Sequence, residues 1–337
     1  MQKVLVTGGT GYIGSHTVVE LQNKDYGIVV IDDLSNSNIN VLDKVKSITG
    51  KSVDFYQFNL QDYDKLKAVF KENDIAAIIH FAASKAVGES VEKPVHYYQN
   101  NLGSMLNLLK AMQEFKVSNF VFSSSCTVYG QPDKLPVTEA TPVLPAESPY
   151  GNTKQIGEEV IKDTIHSDTS LKAISLRYFN PTGAHESGKI GELPLGVPAN
   201  LVPFITQTAA GIRESLAVFG DDYNTPDGSC IRDYIHVVDL AKAHVIAIER
   251  LLENRNKQPY EVFNLGTGKG NSVLEIINSF EKVTGQKLNY KIVPRREGDI
   301  EQIYADTTLA TNELGWTAAL GIDDMMRSAW EWQKSIE

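Results

Sequence analysis

Short β-branched, apolar runs alternate with longer stretches of helical period through the first half of the chain. The runs Val4–Thr7, Ile28–Asp32, Val53–Phe58, Ala76–Phe81, Phe120–Ser124 and Ala173–Tyr178 predict strands, and several are apolar almost throughout, as expected for strands buried on both faces. Between them Gly14–Asn23, Asp62–Glu72, Pro94–Phe115 and Tyr150–His166 carry apolar residues at helical spacing and predict helices. Such alternation specifies a parallel sheet covered by helices, and right-handed crossovers make it doubly wound, an α/β fold. After Tyr178 the pattern changes. Pro and Gly are frequent between Asn180 and Pro203, and a turn-rich insertion spans Gly220–Gly228. Helical period returns at Val237–Asn254 and a strand at Val262–Leu265, so a second, smaller region is expected, with segments that cross back to the first.

Composition narrows this picture by exclusion. Among 337 residues, 42% hydrophobic and 22% charged are ordinary values for a folded chain with a sizeable core. Lys and Arg number 32 against 42 Asp and Glu, a formal charge of −10 with no long basic run, so nucleic acid is not expected as a partner. No run approaches the roughly 20 apolar residues of a membrane helix, and a membrane is not expected either. A cleaved leader is not expected, because Lys3–Gly14 already reads as strand and working loop. Cys126 and Cys230 are too few for a disulfide framework, which fits a reducing compartment, the cytoplasm. Both read as packing residues. The seven histidines lie singly, so no metal site is expected.

The strand Val4–Thr7 runs directly into Thr7-Gly-Gly-Thr-Gly-Tyr-Ile-Gly14, with a helical pattern behind it. In that context Gly8, Gly11 and Gly14 have separate tasks: a tight turn, close backbone approach to a pyrophosphate, and packing of helix on strand. At the end of the second strand, Asp32 is placed to accept from ribose hydroxyls and to repel a 2′-phosphate, which favours NAD over NADP. The expected architecture is therefore of Rossmann type. A second glycine run, Gly266-Thr-Gly-Lys-Gly270, reads as a tight turn before a helix capped near Ser272.

The fifth strand ends in Phe122-Ser-Ser-Ser125, at the carboxyl edge where such sheets bind ligands. Twenty-five residues after Ser125 comes Tyr150-Gly-Asn-Thr-Lys154, whose Tyr and Lys share one helical face. A fixed ammonium favours a phenolate, so Tyr150 is expected as the base, Lys154 as the cation that assists it, and Ser125 as a hydrogen-bond partner of the same substrate hydroxyl.

Taken together, the glycine loop, Ser125, Tyr150 and Lys154 resemble the extended short-chain dehydrogenase/reductase family, and within it the branch that epimerises nucleotide sugars. The resemblance runs nearly end to end, through Phe81-Ala-Ala-Ser-Lys-Ala-Val-Gly-Glu-Ser90, Arg177-Tyr-Phe-Asn-Pro-Thr-Gly-Ala-His185, Asn200-Leu-Val-Pro203, Arg232-Asp-Tyr-Ile-His236 and Arg295-Arg-Glu-Gly-Asp299. It implies an NAD-dependent isomerase that interconverts UDP-glucose and UDP-galactose through a bound 4-keto sugar and transient NADH. It further implies that Tyr12, Ile13, Asp32, Asp33, Asn36, Phe81, Ala82, Ala83, Lys85 and Asn100 line the cofactor, with Lys154 on the nicotinamide ribose. Asn180, Asn200, Arg232, Arg296 and Asp299 would hold the UDP-sugar, the arginines through their forked donors. Tyr178 and Phe179 read equally as site lining and as core.

The implied division is an NAD-binding region over 1–178 and a mainly nucleotide-sugar-binding region over 179–337, in a homodimer. Asn59 and Leu60 stand where the family commonly has an Asp and a branched apolar residue beside the adenine. Ile303 stands where many bacterial relatives carry a Tyr, which raises turnover of N-acetylated UDP-sugars as an alternative. A 4,6-dehydratase would need a carboxylate pair after Ser125, where Cys126 and Thr127 stand. A net dehydrogenase and a silent NAD sensor are the remaining rivals; a hydrolase would need a Gly-x-Ser-x-Gly elbow that is missing.

Overall fold

The computed structural model describes residues 1–296 and 300–336. In chain order the first half comprises β1 (Lys3–Thr7), α1 (Tyr12–Asn23), β2 (Gly27–Asp32), α2 (Asn40–Thr49), β3 (Asp54–Gln57), α3 (Tyr63–Glu72), β4 (Ile75–His80), α4 (Val87–Glu92), α5 (Pro94–Phe115), β5 (Asn119–Ser125), α6 (Pro149–Ser167) and β6 (Lys172–Tyr178). There follow β7 (Asn180–Thr182), α7 (Leu201–Ala209), β8 (Leu216–Phe219), β9 (Ile231–His236), α8 (Val237–Leu252), β10 (Tyr260–Leu265), β11 (Gly270–Ser272), α9 (Val273–Thr284), β12 (Tyr290–Val293), β13 (Gln302–Ile303) and α10 (Ile322–Ser335).

Seven strands form one parallel sheet in the order β10-β6-β5-β4-β1-β2-β3. The strand order reverses between β1 and β4, where crossovers leave in opposite directions and open a crevice at the carboxyl edge. Side chains alternate between the faces. Val4 and Val6 join Val18 and Val19 of α1 and Leu240 of α8, whereas Leu5 joins Leu66 of α3 and Leu108 of α5. These residues are fully buried on both faces, which is why the centre of β1 reads as continuously apolar.

The strand expected at Val262–Leu265 does cross back: β10 pairs along the whole of β6, from Tyr260 opposite Ala173 to Leu265 opposite Tyr178. The rest of the second half builds its own core, with Val202 and Ile205 of α7, Ile276 and Phe280 of α9, and Met325 and Met326 of α10. A small mixed sheet sits beside the crevice, with β9 parallel to β7 and β13 and antiparallel to β11. The second glycine run is a turn bound to an internal carboxylate. Asp233 accepts from the Thr267 amide and hydroxyl, both at 2.7 Å, and from the Gly268 and Ala305 amides at 3.1 Å. Ser272 then caps α9 in a reciprocal box with Glu275. Among the described residues no helix is long and apolar enough to cross a membrane.

Candidate active site

The glycine loop shows its purpose in what a methyl group would strike. A Cβ on Gly14 would lie 2.1 Å from the Gly8 carbonyl oxygen, and one on Gly8, at φ +72°, would lie 2.8 Å from the Ala82 amide nitrogen. At Gly11 a Cβ would meet only the Gly8 oxygen, at 3.2 Å, and the outer side is open. Gly11 also caps α1 without a side chain, so the amides of Tyr12 and Ile13 in the first turn stay uncovered. A smooth cradle over a helix N-terminus suits a pyrophosphate.

Asp32 ends β2 at the rim of this cradle, where its carboxylate accepts from the Thr10 amide (3.2 Å), the Leu34 amide (2.9 Å) and the Ser37 hydroxyl (3.2 Å). Beside it, burial raises the Asp33 carboxyl, but hydrogen bonds from Ser35 and Asn59 outweigh burial and hold it below the usual range. The Asn59 amide reaches Asp33 at 2.8 Å. An Asp at 59 would face Asp33 with a second negative charge, so the amide fits this chain's own geometry. Leu60 is buried beneath that corner, and Asn36 is exposed in the loop after β2.

The segment after β4 forms the opposite wall. The Phe81 amide donates to the Thr7 carbonyl, which seats Phe81, Ala82 and Ala83 against the glycine loop. Asn100 donates to the Ser84 hydroxyl at 3.2 Å. Asn101, which the sequence reading passes over, does more: it accepts from the Ser84 amide (2.8 Å) and donates to the Ser84 carbonyl (3.0 Å) and the Thr153 hydroxyl (3.1 Å). It thereby ties this wall to α6. Only the adjacent pair of asparagines on a predicted helix hinted at it. Lys85 reaches Glu192 at 3.3 Å, and Asn200 reaches the same carboxylate at 2.6 Å. The Lys85 and Asn200 expected on cofactor and sugar thus meet across Glu192.

Tyr150 and Lys154 start α6, which Ser148 caps through the Gly151 amide at 3.2 Å. Lys154, 4% exposed, donates to the Ser123 carbonyl at 2.6 Å and lies 5.8 Å from the Tyr150 ring centre. Ser125 lies close enough to ease ionisation of the Tyr150 phenol and accepts from the Thr127 amide at 3.2 Å. The electrostatics depart from the sequence expectation. Burial pushes the Tyr150 phenol up to about 12, against the pull of Ser125. Burial likewise brings the Lys154 ammonium down to about 8, against the support of Glu158. The cation is aimed at a carbonyl rather than at the phenol, so in the protein alone desolvation dominates both groups.

Tyr178 ends β6, with its hydroxyl on that of Ser123, and Phe179 packs with Val128, Tyr129, Val137, Ile303 and Ala305. Both are buried, Tyr178 to 7% and Phe179 to 5% exposure. The small mixed sheet gathers the remaining residues: β9 sets Arg232 opposite Ile303 and Tyr234 opposite Asn180. Arg232 also lies close enough to act electrostatically on Cys126, the neighbour of Ser125. Arg296 follows β12 and stacks over Phe219, 5.6 Å from the ring centre. Asp299 lies outside the described residues.

Among the described residues no group of three His, Cys, Asp or Glu could hold a metal. The arrangement supplies a hydroxyl, a phenol and an ammonium at the carboxyl edge of β5, between a pyrophosphate cradle and a sheet bearing arginine. A hydroxyl, a phenol and an ammonium so grouped can exchange a proton with a substrate hydroxyl.

Residues 5–329 match a family model described as GDP-mannose 4,6 dehydratase. The chain is 52% identical over 340 residues to UDP-glucose 4-epimerase of Mus musculus, covering 99% of this chain and 97% of the relative. A crystal structure of the Stenotrophomonas maltophila UDP-glucose-4-epimerase with bound NAD and formylated UDP-arabinopyranose superimposes with a TM-score of 0.96. It shares 47% identity, covering 100% of this chain and 99% of the other. The Bifidobacterium longum UDP-glucose 4-epimerase in complex with NAD+ and UDP gives a TM-score of 0.95 and 50% identity, covering 99% and 98%.

Proposed function

The chain belongs to the family of that dehydratase model and, within it, to the UDP-glucose 4-epimerases, and we propose that Tyr150, Lys154 and Ser125 perform the epimerisation in the crevice described above. The protein is an NAD-dependent isomerase that interconverts UDP-glucose and UDP-galactose. The observation that carries the residue assignment is the convergence of the Ser125 hydroxyl, the Tyr150 phenol and the Lys154 ammonium between β5 and α6.

NAD fits the loop, because each of Gly8 and Gly14 occupies a place a methyl group cannot and Gly11 leaves the helix end open. When bound it supplies a hydride acceptor, later a hydride donor, and a positive charge near the phenol. Gly8, Gly11, Tyr12, Ile13 and Gly14 would hold the pyrophosphate, with Asp32, Asp33, Asn36, Asn59 and Leu60 around the adenosine. Phe81, Ala82, Ala83, Lys85, Asn100, Tyr178 and Phe179 would form the walls. Tyr150 takes the proton of the sugar 4-hydroxyl, Ser125 orients that hydroxyl, and Lys154 holds positive charge behind the phenol. The resulting ketone must present its other face before the proton returns, so binding energy has to reside away from C4. Asn180, Asn200, Arg232, Arg296 and Asp299 would provide that anchor on the uridine diphosphate.

No carboxylate follows Ser125; Cys126 and Thr127 begin a single 3₁₀ turn there. That favours epimerisation over dehydration even though the family model carries a dehydratase description. Ile303 is 4% exposed and packed with Val128, Tyr129 and Phe179. In division of labour, residues 1–178 serve the cofactor and 179–337 mainly the nucleotide sugar. A homodimer in the cytoplasm completes the proposal, with Val95 and Leu106 exposed on α5 as candidate contacts.

Incubation of the purified protein with UDP-galactose and no added NAD tests this reading. UDP-glucose should form, and its absence from cofactor-loaded protein overturns the assignment. Tyr150→Phe should retain NAD yet lose about 10² to 10⁴ in turnover; undiminished turnover would move the base elsewhere.

A further inference from the structure

Three consecutive serines close β5, and three residues spaced four apart face them from α6. Ser125 acts on the Tyr150 phenol, the Ser123 carbonyl accepts from Lys154, and the Ser124 hydroxyl donates to Glu158 Oε1 at 2.6 Å. The first two rungs belong to the proposed chemistry. The third has no part in the proposed proton transfer.

Glu158 is only 2% exposed. Arg177 of β6 meets it with a fork, Nε to Oε1 at 2.9 Å and Nη2 to Oε2 at 2.5 Å. The same guanidinium donates to the Tyr129 hydroxyl at 3.1 Å, which donates in turn to Asn264 of β10 at 2.6 Å. A buried ion pair of this kind is often no more stabilising than an apolar pair of the same volume, so stability alone gives no reason for it.

Resting on the assignment of Tyr150 and Lys154 above, we propose that Glu158 is a positioning residue for the reaction. It registers α6 on β5 through Ser124 and Arg177, and sets a negative charge one helical turn beyond the Lys154 ammonium.

Of the described titratable groups packed around Tyr150, Lys154 and Glu158, only Glu158 sets an opposite charge on Lys154. From β4 comes His80, which burial lowers to about 3 and keeps neutral. β5 contributes the Ser123 carbonyl and the Phe122 ring, 4.9 Å from the ammonium. β6 contributes Tyr178, a neutral phenol raised by burial, and Arg177, which is forked on Glu158. The turn after β5 brings Cys126 and Tyr129, both raised to about 12 by burial. On α5, Tyr97 is raised by burial and by its bond to Glu89 of α4. On β10, Tyr260 is raised by burial and by Glu158 itself. Glu158 is the charge that supports the ammonium against desolvation.

Glu158→Gln keeps the shape and an acceptor for Ser124 while removing the charge, and leaves Arg177 unopposed. With cofactor-loaded protein and UDP-galactose, the alkaline limb of the turnover–pH profile should move down by about one unit, with KM little changed. Ser124→Ala, which keeps the charge, should lower turnover about tenfold and leave the limb in place. If the single variant fails to fold, Glu158→Gln with Arg177→Met removes both buried charges and carries the same expectation of a lowered limb. A folded, NAD-loaded variant without Glu158 whose alkaline limb stays at the wild-type pH overturns the inference. Failure of the wild-type protein to convert UDP-galactose overturns instead the reading beneath it, so the two are told apart.

Discussion

The Lys154 side chain is held in its place at a cost to folding. Its ammonium is buried and titrates near 8 instead of the ordinary 10.5, chiefly because burial strips its hydration. The folded protein therefore gives up this proton more readily than the unfolded chain does. The destabilisation is fully present below about pH 8 and is relieved as pH rises from there toward 10.5. Lys154→Met should accordingly abolish most turnover yet raise the thermal midpoint at pH 7, and a midpoint equal to or below wild type in a calorimetric scan contradicts this. Function and stability are opposed at this position. Turnover of the wild-type protein should likewise fall as pH passes about 8, because the cation is then lost. What sequence cannot supply at this scale is desolvation. Spacing in the sequence puts phenol and ammonium on one helical face, but their depth, and the burial that works against both charges, follow from the packing around them.

At the scale of elements, β1, β2, β4, β5 and β6 are legible because both their faces are buried, whereas β3, at the sheet edge, buries none of its residues; Pro94–Phe115 is legible because its apolar stripe spans six turns. Those predicted elements recur within one or two residues of their expected bounds. α2 went unread for a physical reason: Val45 is its only fully buried residue, so tertiary packing left little mark on its composition. β7, β11 and β13 are two or three residues long and too short to show a period. The Glu158–Arg177 fork also joins residues on different elements, and no local pattern announces it. The loop between β1 and α1 carries the sharpest expectation. Gly14→Ala drives a methyl group to 2.1 Å from the Gly8 oxygen, so α1 must lift away from the cradle. Protein of this variant should emerge with its far-ultraviolet dichroism largely intact but without NAD, read by releasing and quantifying the nucleotide. Stoichiometric NAD in the variant would show that the close approach is dispensable.

Across the whole molecule, four buried histidines set the response to acid. Burial lowers His16 and His80 to about 3 and His236 and His244 to about 4. Each is neutral in the fold yet takes up a proton near 6.5 once unfolded, so unfolding absorbs protons below that pH. The stability these groups confer is present above about 6.5 and declines as pH falls toward their folded values. Urea midpoints measured from pH 7.5 down to 5.5 should decrease, more steeply than in a variant with His16 and His244 replaced by Gln. A flat profile would mean that these rings are protonated in the fold. His16 and His244 each keep a buried Nε2 without a partner in the structure, which fits their neutral state.

The seventh strand of the central sheet has a consequence for how the chain comes into being on the ribosome. β6 is flanked by β5 on one side, but its other neighbour, β10, is translated only about 80 residues later, which at ordinary elongation rates is roughly 4 to 16 s. For that interval the nascent protein displays an open strand edge carrying Arg177 and Tyr178, the kind of edge that recruits other chains. Synthesis speed between residues 178 and 265 should therefore govern the soluble yield, and clustering slow codons there should send more of the product into aggregates than placing the same codons after residue 265.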